Sequence, residues 1–192
     1  NIFKDNLLHA KFLNSLSYLE NRGAQMIARC EKEIPVTLDI LQHAAEEFRH
    51  AYFLKMQLKK LFGNLCPTYA VPYLLGGSAT KYYLDRLNGH ICRLLKNSYP
   101  ELPLPLSAYI LVTYAIEIRA SIFYPIYSHA LKSHNIPIRL QPLIAEEEHH
   151  LRSIEAKLKS LHIPDALIAL TLDFENRLFI FFLENINKSQ LI

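Results

Sequence analysis

Apolar residues recur three and four positions apart along most of this 192-residue chain, which is the spacing of one face of an α-helix. Alternating apolar and polar runs, which would indicate half-buried strands, are nearly absent. The pattern therefore predicts an all-α protein. The expected helices span residues 3–32, 35–62, 79–97, 104–131, 140–161 and 165–187.

Proline and glycine mark where these helices end. Pro35 follows the first helix, and the run from Ser133 to Pro137 is a turn signal between the fourth and the fifth. The long segment 63–105 is rich in proline and glycine and holds the short third helix. We therefore expect two helical hairpins joined by a long crossover, followed by one additional C-terminal helix.

The phrase Ala-Glu-Glu-x-x-His occurs twice in the sequence, ending once at His50 and once at His150. Residues three apart on a helix lie on the same face. Glu47 with His50, and Glu147 with His150, can therefore each present a carboxylate and an imidazole to one metal ion.

A shifted register is available in the second phrase, because Glu146 and His149 also form a Glu-x-x-His pair. The face through Glu147 and His150 continues with leucine and isoleucine, whereas the shifted face continues with proline, alanine and serine. We therefore expect the later pair to point to the core. The same comparison holds in the first phrase, so the earlier glutamates, Glu46 and Glu146, are expected at the surface or in hydrogen-bonding positions around the ligands.

Two further carboxylates lie on faces that are otherwise apolar or small. Glu20 occupies such a face in the first helix, and Glu117 lies in the stretch 107–128, whose only other charged residue is Arg119. A buried carboxylate without a partner would be costly. The sequence therefore predicts that both carboxylates have partners in the core.

The spacing of these residues fits two antiparallel hairpins. In the first hairpin, the midpoint between Glu20 and Glu47 falls at Glu33 and Ile34, and the helix breaker Pro35 follows at once. In the second hairpin, the midpoint between the two glutamates lies beside the predicted turn. Both hairpins therefore place their carboxylates at a similar depth, about 20 Å from the turn at roughly 1.5 Å per residue.

The order Glu, Glu-x-x-His, Glu, Glu-x-x-His resembles the ferritin-like di-iron carboxylate superfamily, which includes rubrerythrins, bacterioferritins and di-iron hydroxylases. The resemblance covers most of the chain. It implies a ferritin-like four-helix bundle with two iron ions that react with oxygen or peroxide, and it implies that Glu47 and Glu147 are the bridging carboxylates. The residues that carry it are Glu20, Glu47, His50, Glu117, Glu147 and His150.

The types of ligand also indicate which metal to expect. Four carboxylates and two imidazoles form a hard, oxygen-rich set that suits iron, with manganese as the alternative. A structural zinc site would favour thiolates and four ligands. The cofactor expected from the sequence is therefore a pair of iron ions.

Ordinary salt bridges are the structural alternative to metal ligation. Glu20 could instead be neutralised by Arg22, and Glu117 by Arg119. Two such bridges facing two histidine-bearing helices are a less economical account than one metal centre.

Other polar residues near the predicted ligands have a default role in the core. His43, one turn before Glu47, is expected to be a core histidine or a hydrogen-bond partner rather than a seventh ligand. The same is expected of His149. The nearby tyrosines fill the core by default, although they could bind a carboxylate or donate an electron. Small polar residues on the ligand faces favour an open pocket. These tyrosines are Tyr18, Tyr114 and Tyr124, and the small residues are Ser17, Thr113 and Ser121.

Composition fits one domain over residues 1–192, with 51% hydrophobic residues, 20% charged residues and five glycines. The net charge of +3 is too small to indicate a nucleic-acid partner. The three cysteines form no Cys-x-x-Cys pair, which favours a cytoplasmic location and argues against a rubredoxin-type iron centre within the chain. Electrons for redox chemistry would therefore come from an external donor.

The C-terminal helix carries the apolar run Leu178–Leu183, which suggests a membrane contact. Charges at Asp173, Glu175 and Arg177 precede this run, and no uninterrupted run reaches the roughly 20 apolar residues of a spanning helix. We expect this helix to pack on the bundle or on a second subunit of a homodimer, rather than to make a peripheral membrane contact. Residues 1–30 have the pattern of an amphipathic helix and not of a signal peptide.

Three functions are compatible with these observations. The favoured one is a di-iron oxidase or oxygenase that acts on a small organic substrate. The second is a ferroxidase or a rubrerythrin-like peroxide scavenger, although the long crossover and the lack of an evident acidic iron-entry run argue against a storage cage. The third is a non-catalytic helical scaffold whose glutamates and histidines form a buried polar network.

Overall fold

The computed structural model describes residues 2–30 and 34–189, and within these residues the chain forms helices and no strand. The all-α prediction is confirmed. Two short 3-10 turns, Ile2–Lys4 and Val71–Tyr73, accompany seven α-helices. The α-helices are α1 (Asn6–Cys30), α2 (Leu38–Phe62), α3 (Ser78–Lys81), α4 (Tyr83–Ser98), α5 (Leu104–Ser133), α6 (Gln141–Ser160) and α7 (Asp165–Ser189).

Local capping explains where the helices differ from their predicted bounds. Asp5 Oδ1 accepts hydrogen bonds of 2.7 and 3.1 Å from the second and third backbone amides of α1, so this helix begins three residues later than expected. Thr37 Oγ1 accepts a hydrogen bond of 3.4 Å from the third backbone amide of α2, so α2 also begins three residues later than expected. Tyr82 divides the predicted helix 79–97 into α3 and α4. The predicted midpoint at Glu33 lies outside the described residues.

The chain divides into two compact units. Unit 1 comprises the described residues within 1–31, 35–86 and 177–192, and unit 2 comprises those within 32–34 and 87–176. Unit 1 contains the hairpin of α1 and α2, and unit 2 contains the hairpin of α5 and α6. Both predicted hairpins are therefore present, while the single domain over 1–192 stays a prediction.

In unit 1, α1 packs antiparallel to α2. Ser17 Oγ donates a 2.7 Å hydrogen bond to the carbonyl oxygen of Ala51, and Lys55 Nζ donates to Asn14 Oδ1. Residue numbers therefore rise along α1 as they fall along α2, which places Glu20 opposite the stretch that begins at Glu47. The buried core of this hairpin includes Leu13, Leu16, Ala24, Leu54 and Leu58.

Buried polar groups of α1 hold the segment that follows α2. Asn14 Nδ2 donates to the carbonyl oxygens of Thr68 and Tyr73 at 2.9 and 3.0 Å, and Ser15 Oγ accepts a 2.8 Å bond from the backbone amide of Leu75. Asn14 and Ser15 are fully buried, and the bond between Ser15 and Leu75 is buried as well, so this segment is held against α1.

In unit 2, α5 and α6 form the second antiparallel hairpin. The predicted turn is confirmed, because α5 ends at Ser133 and Asn135 adopts a left-handed backbone conformation with φ 55°, which asparagine tolerates. Gln141 Nε2 at the start of α6 donates a 3.2 Å hydrogen bond to Ser128 Oγ near the end of α5. The buried core of this hairpin includes Ile110, Leu111, Leu131, Leu140 and Ile154.

Among the described residues, α5 is the one helix that is long and apolar enough to cross a membrane. The core helix of a soluble protein meets the same criteria, and half of the most apolar window of α5 is buried inside the structure. The helix also carries Glu117 and Arg119 in its interior. Length and composition therefore do not separate the two environments.

Candidate metal centre

In unit 1, the helices α1 and α2 bring together the three residues that the sequence predicted for this hairpin. Glu20, Glu47 and His50 offer ligand atoms that lie within 4.8 Å of one another, and His50 Nδ1 lies 3.9 Å from Glu20 Oε2. Glu47 and His50 are 7% and 2% exposed, and the side chain of Glu20 is 13% exposed. We call this group the α1/α2 triad.

The packing of α1 on α2 sets the position of the α1/α2 triad. The buried residues of α2 include Ile40, Leu54 and Leu58, and they place Glu47 and His50 on the core side of the helix. The bond between Ser17 and Ala51 fixes the register one turn away from Glu20. A carboxylate from α1 therefore faces the carboxylate–imidazole pair of α2.

In unit 2, α5 and α6 bring together the other three predicted residues. His150 Nδ1 lies 3.7 Å from Glu117 Oε1 and 3.8 Å from Glu147 Oε2. All three side chains are 3% exposed. We call this group the α5/α6 triad, and it has the same composition as the α1/α2 triad: two carboxylates and one imidazole.

The choice of register on α6 is confirmed by burial. Glu147 and His150 are buried, whereas His149 is exposed and Glu146 is partly exposed. On α2, Glu46 is also partly exposed and hydrogen-bonds to neighbours on its own helix surface. The leucine and isoleucine residues that share a face with the later glutamate therefore identified the buried side of both helices.

The arginines of the salt-bridge alternative have carboxylate partners outside the two triads. Arg22 pairs with Asp85 on α4. Arg119 Nε and Nη2 donate to both carboxylate oxygens of Glu175 at 2.9 and 2.7 Å, and Glu175 is buried. These two guanidinium groups therefore form ion pairs with other carboxylates, which weakens the salt-bridge alternative for Glu20 and Glu117.

The donor atoms of each triad fit a bound metal ion. Two ligands of one ion, each held by a bond of about 2.1 Å, are separated by about 3.0 to 4.2 Å depending on the angle between them. The imidazole-to-carboxylate distances of 3.7 to 3.9 Å fall in this range. Both triads also combine two carboxylates with one imidazole, and a cation offsets the charge of such a group.

Thiolates are not part of either triad. Cys66 is a buried free cysteine, and burial raises the pKa of its thiol, which keeps it protonated and makes it a poor ligand. The donor set is therefore one of oxygen and nitrogen atoms, as the sequence predicted.

Two of the small or aromatic residues near the triads are engaged elsewhere. Tyr18 donates its hydroxyl hydrogen to the carbonyl oxygen of Lys81 at 2.8 Å, and Ser17 Oγ is held by Ala51 and by the hydroxyl of Tyr69, each at 2.7 Å. Ser17 therefore fastens two helices together, and its small size does not by itself indicate an open pocket.

On α5, three further residues that the sequence analysis singled out lie within two turns of Glu117. Thr113 and Tyr124 are buried, and Tyr114 is partly buried. Burial and, to a smaller extent, the carboxylate of Glu155 raise the pKa of Tyr114. Its phenol therefore stays protonated at neutral pH and can donate a hydrogen bond.

Of two close neighbours of Glu47, sequence reasoning anticipated His43 as a core or hydrogen-bonding residue and missed Gly23. His43 Nε2 lies 3.3 Å from Glu47 Oε1, and both residues are buried. Gly23 on α1 leaves room for the same side chain, since a Cβ atom there would lie 3.6 Å from Glu47 Oε2. Gly23 follows Glu20 by three residues, so a glycine on the ligand face of α1 was the available signal.

No family model matches this chain, and neither a curated protein nor a solved structure matches it significantly. The two triads and the order of their residues in the sequence are therefore the features of this chain that bear on its function. That order is the feature that resembles the ferritin-like superfamily.

Proposed function

We propose that this protein is a non-haem di-iron oxidoreductase that activates oxygen or peroxide and acts on a small organic substrate. In this proposal α1, α2, α5 and α6 are the four helices of a ferritin-like bundle. Two iron ions, or alternatively two manganese ions, are held by the two triads. An external donor supplies the electrons.

The observation that carries the proposal is the pair of buried carboxylates around one imidazole nitrogen in the α5/α6 triad. Glu117 and Glu147 lie 3.7 and 3.8 Å from His150 Nδ1 and are both almost inaccessible to water. Two negative charges this close in a poorly solvated core need protons or cations to offset them. The α1/α2 triad repeats the same composition, which supports one ion for each triad.

The residues of the chain have separate tasks in this proposal. His50 and His150 each bind one ion, and the four carboxylates supply the negative charge that two ions require. By the resemblance to ferritin-like proteins, Glu47 and Glu147 would be the carboxylates shared by both ions, and Glu20 and Glu117 would each bind one ion. Two iron ions, when bound, can exchange two electrons with oxygen or peroxide.

The surroundings of the triads support this chemistry without taking part in it. Burial of the ligands excludes bulk water, which strengthens their interaction with a cation and protects reactive species from side reactions. The bond from Ser17 to Ala51 and the turn between α5 and α6 hold each hairpin in register. The net reaction for an oxygenase would consume one oxygen molecule, two electrons and two protons for each substrate oxidised, and release one water.

Metal content in matched variants tests the proposal. Glu147 and Glu148 are neighbours on α6, the first buried and the second exposed. Purified after loading with iron(II) without oxygen, the wild type should hold two ions per chain, and Glu148→Ala should hold the same number. Glu147→Ala should lose at least one ion.

Three outcomes would refute the proposal or redirect it. Full retention of both ions by Glu147→Ala would refute the assignment of Glu147 as a ligand. No iron in the wild type would leave a helical scaffold with a buried polar network. Oxygen or peroxide consumption that needs only iron(II) as the electron source would favour a ferroxidase or peroxide scavenger over an oxygenase. Consumption that requires an organic substrate and a reductant is the result we expect.

A further inference from the structure

His43 lies one turn before Glu47 on α2, and both side chains are buried. His50 lies three residues after the same glutamate, also on the buried face. Glu47 is therefore flanked by an imidazole on each side along its own helix. One of its neighbours, His50, is already a candidate ligand.

The contact between His43 and Glu47 has the spacing of two ligands that share an ion. His43 Nε2 and Glu47 Oε1 are 3.3 Å apart. A hydrogen bond between nitrogen and oxygen usually measures about 2.7 to 3.2 Å, so this contact has the length of a weak hydrogen bond. Two ligands of one ion on bonds of about 2.1 Å lie about 3.0 to 4.2 Å apart, so the same distance also fits two ligands of one ion.

The corresponding position on α6 is apolar. Leu143 stands four residues before Glu147, as His43 stands four residues before Glu47, and it is buried. The two Glu-x-x-His helices therefore differ by one nitrogen donor. A buried imidazole in place of a leucine is costly unless its ring nitrogens have partners, which favours a role for His43 at the triad.

We propose that His43 is a third imidazole ligand, which binds through Nε2 the same ion as Glu47 Oε1. The inference rests on the proposed function, because it needs a metal centre at the triads. It makes α2 a helix with the ligand pattern His-x-x-x-Glu-x-x-His, and it makes the two metal positions unequal. The ion next to His43 gains a neutral nitrogen ligand that the other ion lacks.

Anaerobic iron(II) binding to two variants tests this role. His43→Ala removes the imidazole, and His43→Gln keeps a side chain that can hydrogen-bond to Glu47 but is a poor metal ligand. Both substitutions should weaken the binding of one of the two ions by more than about 100-fold. A loss of about 100-fold is the upper end of what removing a hydrogen-bond partner outside the coordination sphere causes. Free imidazole added to His43→Ala should restore the second ion.

The exposed His149 on α6 provides the matched control, because it also neighbours a candidate ligand. His149→Ala should bind both ions like the wild type. A loss of affinity smaller than about 100-fold in His43→Gln would overturn the inference and make His43 a positioning residue. Failure of the wild type itself to bind iron would refute the proposed function, and the inference with it.

X-ray absorption at the iron edge of the wild type needs no substitution and so does not depend on the folding of a variant. Three imidazoles for two iron ions are expected if His43 binds. Two imidazoles for two ions would overturn the inference while leaving the di-iron centre in place.

Discussion

Replacing Glu117 with glutamine separates a metal centre from a structural polar network. The substitution removes one negative charge and nearly preserves the shape of the side chain. If the buried carboxylates of the α5/α6 triad exist to bind a cation, then the charge of Glu117 is unfavourable when no metal is bound. We therefore expect Glu117→Gln to stabilise the metal-free protein and to weaken the gain in stability from iron.

The structure gives the size of this effect. The oxygens of Glu117 and Glu147 lie 3.7 and 3.8 Å from one nitrogen atom, so these two oxygens are at most about 7.5 Å apart. Two unit charges at that distance repel by about 2 kcal/mol at an effective dielectric constant of about 20, and closer charges repel more. Partial proton uptake lowers this value, and we expect a gain of about 1 to 3 kcal/mol.

Urea denaturation followed by helical circular dichroism measures both effects, with chelator present or with iron(II) under argon. In the loaded wild type, ions at about 1,000 times their dissociation constant add about 4 kcal/mol for each site, and Glu117→Gln should lose this gain for at least one site. If the free energy of unfolding of the metal-free variant falls by more than about 1 kcal/mol, the reasoning is refuted. Such a fall is the result expected when a structural hydrogen-bond acceptor is removed.

Glu175→Gln is the matched control for this experiment. Glu175 lies in the same unit and is as buried as Glu117, but it binds Arg119 through both carboxylate oxygens. Breaking such a pair leaves a charge without its partner and should cost about 3 kcal/mol with or without metal. The two substitutions should therefore change the free energy of unfolding of the metal-free protein in opposite directions.

Three further predictions concern the surroundings of the triads. Asn14→Ala removes two buried hydrogen bonds to the segment after α2 and should lower the free energy of unfolding by about 3 kcal/mol in urea; a loss under about 1 kcal/mol would contradict it. Gly23→Ala should raise that free energy by about 0.5 to 1 kcal/mol, because the new Cβ makes an ordinary contact with Glu47 inside a helix, and a lower value would show that the contact is strained. Glu155→Gln should lower the raised pKa of Tyr114 without restoring its usual value, because burial is the larger cause. This pKa is measured by alkaline titration, as the difference in absorbance between the protein and its Tyr114→Phe variant. An unchanged pKa would show that Glu155 has no influence.

Much of the secondary structure could be predicted from the sequence, because local signals decide it. Apolar periodicity located the long helices, and the turn signal before Pro137 located the end of α5. The errors arose at helix starts, where the side chains of Asp5 and Thr37 cap the first turn. The break at Tyr82 also lacked a proline or glycine that would have marked it.

The composition of each triad could also be predicted, because a helix face is a local property. Leucine and isoleucine on the same face identified Glu147 and His150 rather than the shifted pair. The partners of long side chains could not be predicted, because they depend on which distant helix comes into reach. The pairing of Arg119 with Glu175, 56 residues away, is of this kind.

Iron content combined with the optical and magnetic spectra of the oxidised protein tests the central claim most directly. We predict two iron ions per chain, near-ultraviolet absorption from an oxo-bridged pair, and no electron paramagnetic resonance signal, because the two ions couple through their bridge. The absence of iron, or the signal of isolated high-spin ions, would contradict the assignment of six ligands to one di-iron centre. These six ligands are Glu20, Glu47, His50, Glu117, Glu147 and His150.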